Sequence, residues 1–137
     1  MDERQTIVFM LEQQEYGIDI LSVKEIIVPV HLTKLPNMPP YFEGVFNLRG
    51  NIIPLINLKR RFSIESTEAN TEKRIIVIML DKPVGVLVDS VHEVLMIGSD
   101  TIEKSADIST GIDSRFISGI AKMDERLIIL LNLEGAF

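Results

Sequence analysis

Gly44-Val45-Phe46-Asn47-Leu48-Arg49-Gly50-Asn51-Ile52-Ile53-Pro54-Leu55-Ile56-Asn57-Leu58 aligns without gaps on Gly119-Ile120-Ala121-Lys122-Met123-Asp124-Glu125-Arg126-Leu127-Ile128-Ile129-Leu130-Leu131-Asn132-Leu133, at a constant offset of 75 residues. In each stretch two apolar runs flank a short polar interruption, Arg49-Gly50 in one and Asp124-Glu125 in the other. That is the pattern of a β-hairpin. Self-similarity at a fixed spacing points to a duplicated unit.

A second match supports the duplication. Gly17, Ser22-Val23 and Glu25-Ile26-Ile27 correspond to Gly85, Ser90-Val91 and Glu93-Val94-Leu95 at an offset of 68, so the second copy carries a longer connection between its two parts. Between the copies lies a polar stretch, residues 63–73, which reads as a surface linker. The organisation expected is a single domain over 1–137, with a first repeat at 5–62, the linker at 63–73 and a second repeat at 74–134. Fused duplicates can exchange strands across such limits.

Each copy reads as mostly strand. Ile, Val and Leu fill short runs broken by Gly or by charged clusters, and Asp81-Lys82-Pro83 joins Ile75–Leu80 to Val84–Val88 as a hairpin. Ile75–Leu80 and Leu127–Leu131 are apolar at every position, so both faces of those strands must be covered. One face fills a barrel, and the other meets the sister barrel or a partner. Pro54 falls within a strand pattern, which predicts an edge or a bulge. Leu35–Tyr41, with Pro36, Pro39 and Pro40, predicts a rigid loop with at most one helical turn after it. The fold class is all-β: two fused five-stranded SH3-like β-barrels from an internal duplication, with an OB-like barrel as the alternative the pattern also admits.

Composition narrows the function. The chain of 137 residues is 46% hydrophobic, and its mean hydropathy of +0.23 excludes disorder. No apolar run approaches the roughly 20 residues of a spanning helix, and the N-terminus has no signal-peptide pattern. There is no cysteine, so disulfides and thiolate metal sites are excluded and a cytoplasmic location is expected. The net charge is −6. A chain that repels phosphates is a poor nucleic-acid binder, and six Phe, two Tyr and no Trp offer little for base stacking. Residues 1–62 hold seven basic and seven acidic side chains, whereas 63–137 hold seven and thirteen, an asymmetry that suits two different partners.

The chemical inventory is thin. His31 and His92 have no third ligand at metal spacing, and no nucleophile elbow, phosphate loop or dinucleotide fingerprint occurs. Paired carboxylates such as Asp113 with Asp124, or Asp19 with Glu25, could do acid/base work only if the fold joined them. The expectation is a protein that is not an enzyme and that needs no metal or cofactor. A small ligand-binding or hydrolytic barrel using His92 is the alternative from a different class.

The first copy carries Arg49-Gly50 where the second has Asp124-Glu125, so the fold itself does not require Arg-Gly. An Arg at a hairpin tip offers five donors to a carboxylate. Glu15-Tyr16-Gly17-Ile18-Asp19-Ile20, Val23-x-Glu25-Ile26, Gly44-Val45-x-Asn47-Leu48-Arg49-Gly50 followed by Pro54 and Leu58, and Val84-Gly85-x-x-Val88-Asp89 occur in order over nearly the whole chain. In this the chain resembles the CheW-like chemotaxis coupling proteins.

The resemblance implies two SH3-like barrels sharing a hydrophobic interface. It also implies a non-catalytic adaptor at cytoplasmic receptor arrays, bridging methyl-accepting chemoreceptor tips and the regulatory domain of a chemotaxis histidine kinase. Carried over by position, the receptor-facing groove would involve Val23, Glu25, Ile26 and Arg49, and the kinase-facing surface Gly85 and Val91. A receptor tip is a helical hairpin, so the expected mode is a helix in an apolar groove with charge fixing its register. Glu25 is positioned to pair with Arg49, although the second copy keeps Glu93 without an Arg at its turn. Two departures stand out: Asn57 replaces a commonly acidic residue, and the sequence stops at Phe137 without the C-terminal helix many members carry. A solitary coupling protein is expected, with a regulatory domain from a kinase or an adaptor-receiver fusion as the alternative.

Overall fold

The computed structural model describes residues 3–67, 72–103 and 111–137. Eleven strands are present among them: β1 (Glu3–Leu11), β2 (Gln14–Asp19), β3 (Val23–Ile27), β4 (Phe42–Leu48), β5 (Asn51–Asn57), β6 (Arg74–Met79), β7 (Pro83–Val88), β8 (Ser90–Gly98), β9 (Ile102–Glu103), β10 (Ile117–Met123) and β11 (Arg126–Leu131). A one-turn helix, α1 (Leu58–Arg61), follows β5. The all-β, two-barrel architecture is as expected.

The strands form a five-stranded sheet of order β3-β6-β7-β5-β4 and a six-stranded sheet of order β8-β1-β2-β11-β10-β9. The sixth strand is the two-residue β9, which pairs with Ile120 and Ala121 of β10. Its counterpart in the other sheet is a single bridge, Thr33 to Val45, by which the chain leaving β3 reaches the far edge at β4. Each sheet is thereby drawn round towards closure. Neither sheet comes from one repeat alone. Each takes the leading hairpin of one copy, β1-β2 or β6-β7, and the remaining strands of the other, so the exchange is reciprocal.

The ladders repeat as faithfully as the sequence. Leu55 pairs with Gly85 and Leu130 with Gly17, parallel in both cases. Bulges fall at matching places, at Lys24 and His92 in the edge strands and at Glu43 and Ser118 ahead of the central hairpins. Gly17 is required by close approach, since a Cβ there would lie 2.6 Å from Thr6 Cγ2 and 2.9 Å from Leu130 Cδ2.

The strands that are apolar throughout are buried on both faces except near one end, where Met79 and Leu127 are exposed. Ile75 and Val77 fill the five-stranded barrel, while Ile76 and Ile78 join the core shared between the barrels. Ile128 and Leu130 likewise fill the six-stranded barrel, and Ile129 and Leu131 face the shared core. Phe9, Leu11, Leu58 and Phe62 complete that shared core. The Arg61 guanidinium lies 5.4 Å from the Tyr41 ring centre and 5.3 Å from that of Phe116, and its Nε donates to the Ala136 carbonyl, which holds the C-terminal segment against the shared core.

Pro54 corrects the expectation of an edge or a bulge, because β5 is an internal strand. Its partner Val45 sends both backbone groups to Thr33, and the ladder to β7 begins only at Leu55. The missing N–H therefore falls where no ladder bond is made. In the second copy, with Ile129 at that position, the parallel ladder starts two residues earlier, at Ile128. The Pro-rich segment contains no helix and leads directly into β4. Of the expected linker, residues 68–71 lie outside the described residues, as do residues 104–110 in the longer connection of the second copy.

Candidate protein-docking surface

The hairpin between β4 and β5 turns on two residues, Arg49 and Gly50, with φ of 52° and 88°. Positive φ at both positions marks a type I′ turn, where Gly is favoured and an Arg is unusual. The Asn47 side-chain oxygen accepts from the Gly50 N–H at 2.8 Å and steadies the turn. The guanidinium reaches across the barrel opening to Glu25, NH1 donating to Oε2 and NH2 to Oε1 at 2.9 Å. The sheet order places β3 and β4 at opposite edges, so this two-pronged pair spans the seam where the barrel closes. Arg49 holds the Glu25 carboxyl below its usual range, and Glu25 raises the guanidinium in turn.

The bulge at Lys24 decides which β3 side chains share a face. Val23 pairs with Ile78 and Ile26 with Ile76, so both lie on the face turned towards the shared core. Glu25 pairs with Val77 on the barrel-interior face. Val23 is half-buried, Ile26 is 39% exposed, and Val28 continues the stripe at 58% exposed. The structure thus brings Glu25 to Arg49 and sets Val23 and Ile26 beside them on the opposite face of the same edge strand. Ile52 lies exposed just past the turn.

The second barrel repeats this layout with different chemistry. Val94, Met96 and Leu127 are exposed at the positions of Ile26, Val28 and Ile52. Glu93 takes its arginine from the first residue of β11, with Arg126 NH2 donating at 2.9 Å, and Arg126 also grips Glu15 at 3.0 and 2.6 Å. Arg126 keeps the Glu15 carboxyl below its usual range.

Of the two positions carried over for the kinase-facing surface, Val91 is half-buried at the place of Val23 and packs on the shared core. Gly85 is buried in β7, where a Cβ would lie 3.0 Å from both Ile75 Cγ2 and Phe46 Cε1. It shapes the barrel interior and presents no surface of its own.

Of the four candidate acid/base carboxylates, Glu25 holds Arg49, Asp19 and Asp113 are engaged locally, and Asp124 sits at the turn between β10 and β11. Asp19 accepts from the Leu21 N–H, and Asp113 is paired with Arg115. His31 is exposed, and His92 Nδ1 stands 3.9 Å from Glu15. Among the described residues no group of three or more His, Asp or Glu is placed to hold a metal, and no helix is long and apolar enough to cross a membrane. Asn57 accepts from the Arg60 N–H as the N-cap of α1, as an acidic residue also could, and its amide donates to Glu43, which a carboxylate could not.

The CheW-like domain profile matches residues 5–137. The chain belongs to the CheW-like domain family. Among CheW relatives, the probable chemotaxis protein CheW of Rhizobium etli is 35% identical over 136 residues, covering 98% of this chain and 88% of that protein. The chemotaxis protein CheW of Treponema pallidum is 31% identical over 141 residues, covering 99% and 83%. The crystal structure of the scaffolding protein TtCheW from Thermoanaerobacter tengcongensis superposes with a TM-score of 0.93 at 40% identity, covering 99% of this chain and 93% of that one. As a CheW-like domain the chain is not an enzyme. The residues that position alone did not single out are Val28 and Ile52. The repeat held a signal for them, since their counterparts Met96 and Leu127 are also apolar on a strand face turned to solvent.

Proposed function

We propose that this chain is a non-catalytic adaptor that couples chemoreceptor cytoplasmic tips to a chemotaxis histidine kinase at arrays on the inner face of the membrane. The observation that carries the reading is the apolar stripe of Val23 and Ile26 on an edge strand, continued by Val28 just past its end, next to an arginine fixed by Glu25 at a strained turn, in a chain of the CheW-like family. A helical hairpin lays its apolar face along such a stripe, and Arg49 meets a carboxylate on it to set register. The kinase regulatory domain takes the acidic second barrel around Val91, Val94 and Met96, with Gly85 acting through the packing of the barrel beneath the shared interface. Two faces with different charge let one molecule hold two partners.

The test is titration of purified receptor-tip hairpin and kinase regulatory domain, separately and together. Simultaneous binding of both is expected. Mutual exclusion, or binding of neither, contradicts the reading. A similar stretch also occurs within a longer chain, chemotaxis protein CheV3 of Helicobacter pylori, 30% identical over 124 residues that make up 40% of that protein. The docking surfaces proposed are the same whether the domain acts alone or within such a chain.

A further inference from the structure

The joint between the barrels holds a buried charge cluster that the docking surfaces do not use. Lys59 of α1 is 6% exposed, and its ammonium donates to Glu12 at 2.7 Å, Asp89 at 2.9 Å and Ser66 Oγ at 3.1 Å. Asp89 is 5% exposed, accepts from the Glu12 N–H at 2.7 Å, and donates its own N–H to the Met10 carbonyl at 3.0 Å. Met10 and Glu12 belong to the β1–β2 hairpin of the six-stranded barrel, whereas Lys59 follows β5 of the five-stranded one. Asp89 is the single residue between β7 and β8, where the chain crosses from one barrel to the other. One ammonium thus ties both barrels at the crossing point. Burial alone would lower the Lys59 pKa, but Glu12 and Asp89 raise it above its ordinary value, so the charge persists. A buried cluster of this kind holds one geometry only while every member is present.

The internal repeat supplies a control. By the offsets of 75 and 68, Lys59 corresponds to Glu134 and Asp89 to Leu21. A cleft of about 380 Å³ lined by Glu43, Asn57, Lys59 and Asp89 lies on the tied side of the joint. Its counterpart, about 230 Å³ and lined by Asp19, Ser118, Asn132 and Glu134, lies on the other side. There, Leu21 stands 90% exposed where the tied side has buried Asp89. Among the described residues the buried ion pair occurs on one side of the joint, and the stripe that begins at Val23 borders the opposite side.

We propose that Lys59 is a positioning residue, fixing the angle between the barrels from the side of the buried ion pair and thereby the width of the opposite seam along which the partner helix docks. The proposal rests on the docking surface proposed above, and its mechanical half stands apart from it. A joint that samples several angles offers the competent one for only a fraction of the time, and apparent affinity falls by that fraction.

The absence of cysteine lets two labels be placed cleanly, with Gln5→Cys reporting on one barrel and Lys82→Cys on the other. Spin-label distance distributions are measured in this background, with Lys59→Met/Asp89→Asn, and with Lys59→Arg. The double variant removes both buried charges together, and Asn at position 89 still accepts from the Glu12 N–H. Expected are a broadened distribution and roughly tenfold weaker binding of a receptor-tip hairpin in the double variant, both restored in Lys59→Arg. Glu12→Gln, which leaves the buried pair intact, gives a smaller broadening and keeps the proposal testable if the double variant does not fold. An unchanged distribution in a folded variant overturns the proposal, as does a broadened one with undiminished binding. A wild-type chain that binds no receptor tip instead refutes the adaptor reading, and the distances still decide whether Lys59 pins the joint.

Discussion

Glu25 and Glu93 occupy the same position after the same bulge in the two halves, and each carboxylate takes an arginine from the central hairpin of its own barrel. The arginines come from different places. Arg49 sits at the tip of its turn and its side chain is 70% exposed, whereas Arg126 lies within a strand, 37% exposed, and is shared with Glu15. The glutamate therefore serves both barrels by closing a seam, and the first copy alone turns the pairing outwards. An exposed arginine held in place by a carboxylate presents its remaining donors at low entropic cost.

Arg49→Ala is expected to leave the thermal midpoint nearly unchanged, because exposed ion pairs add little to stability. Binding of a receptor-tip hairpin should weaken by about tenfold or more, since the charge that sets register is gone. Calorimetric titration beside a melting curve separates the two effects. A large fall in midpoint with intact binding would reverse the assignment.

Ile26 and Ile76 are cross-strand partners with opposite duties. Ile76 is fully buried in the shared core, and Ile76→Ala should destabilise by about 2 to 5 kcal/mol. Ile26→Glu, on the exposed stripe, should change stability by only about 0.5 kcal/mol while abolishing hairpin docking. Denaturant unfolding of both variants checks the contrast.

Gly17→Ala drives a methyl into Thr6 and Leu130 in the strand crossing from hairpin to barrel. A cost of about 1 to 3 kcal/mol is expected from overpacking. The companion change Thr6→Ser removes the Thr6 Cγ2 methyl and should recover part of that loss, read again by denaturant midpoint.

Much of the fold was legible because the repeat is written in apolar residues. The gap-free match of Gly44–Leu58 to Gly119–Leu133 named both central hairpins, and the unbroken runs Ile75–Leu80 and Leu127–Leu131 announced strands covered on two faces. The reciprocal exchange of hairpins was left open by the pattern, since β1-β2 and β6-β7 are equally suited to either barrel. The internal place of Pro54 is not written in the local pattern, because strand order, and so which residues lack a ladder bond, is a long-range property. In the site, Arg49 stood out by its difference from Asp124. Lys59 did not, because its role depends on Asp89 and Glu12, which are 30 and 47 residues away and have no counterparts across the repeat.

The acid limb of stability offers a separate check on that cluster. Hydrogen bonds from Lys59 and Thr67 lower the Glu12 pKa from 4.5 to about 2. A carboxyl lowered on folding stabilises the fold fully above its unfolded pKa and loses that contribution as pH falls through the folded value. The difference in stability between wild type and Glu12→Gln should thus be largest above pH 4.5 and vanish towards pH 2. Thermal midpoints of both chains across that window measure it, and a constant difference would show that Glu12 is not engaged.

The adaptor reading is tested most directly by reconstituting receptor and histidine kinase with and without this chain and following kinase autophosphorylation. The account predicts that the wild-type chain brings kinase activity under receptor control and that a folded Arg49→Glu variant does not. Kinase activity indifferent to the wild-type chain, with Arg49→Glu binding receptor as well as wild type, would contradict it.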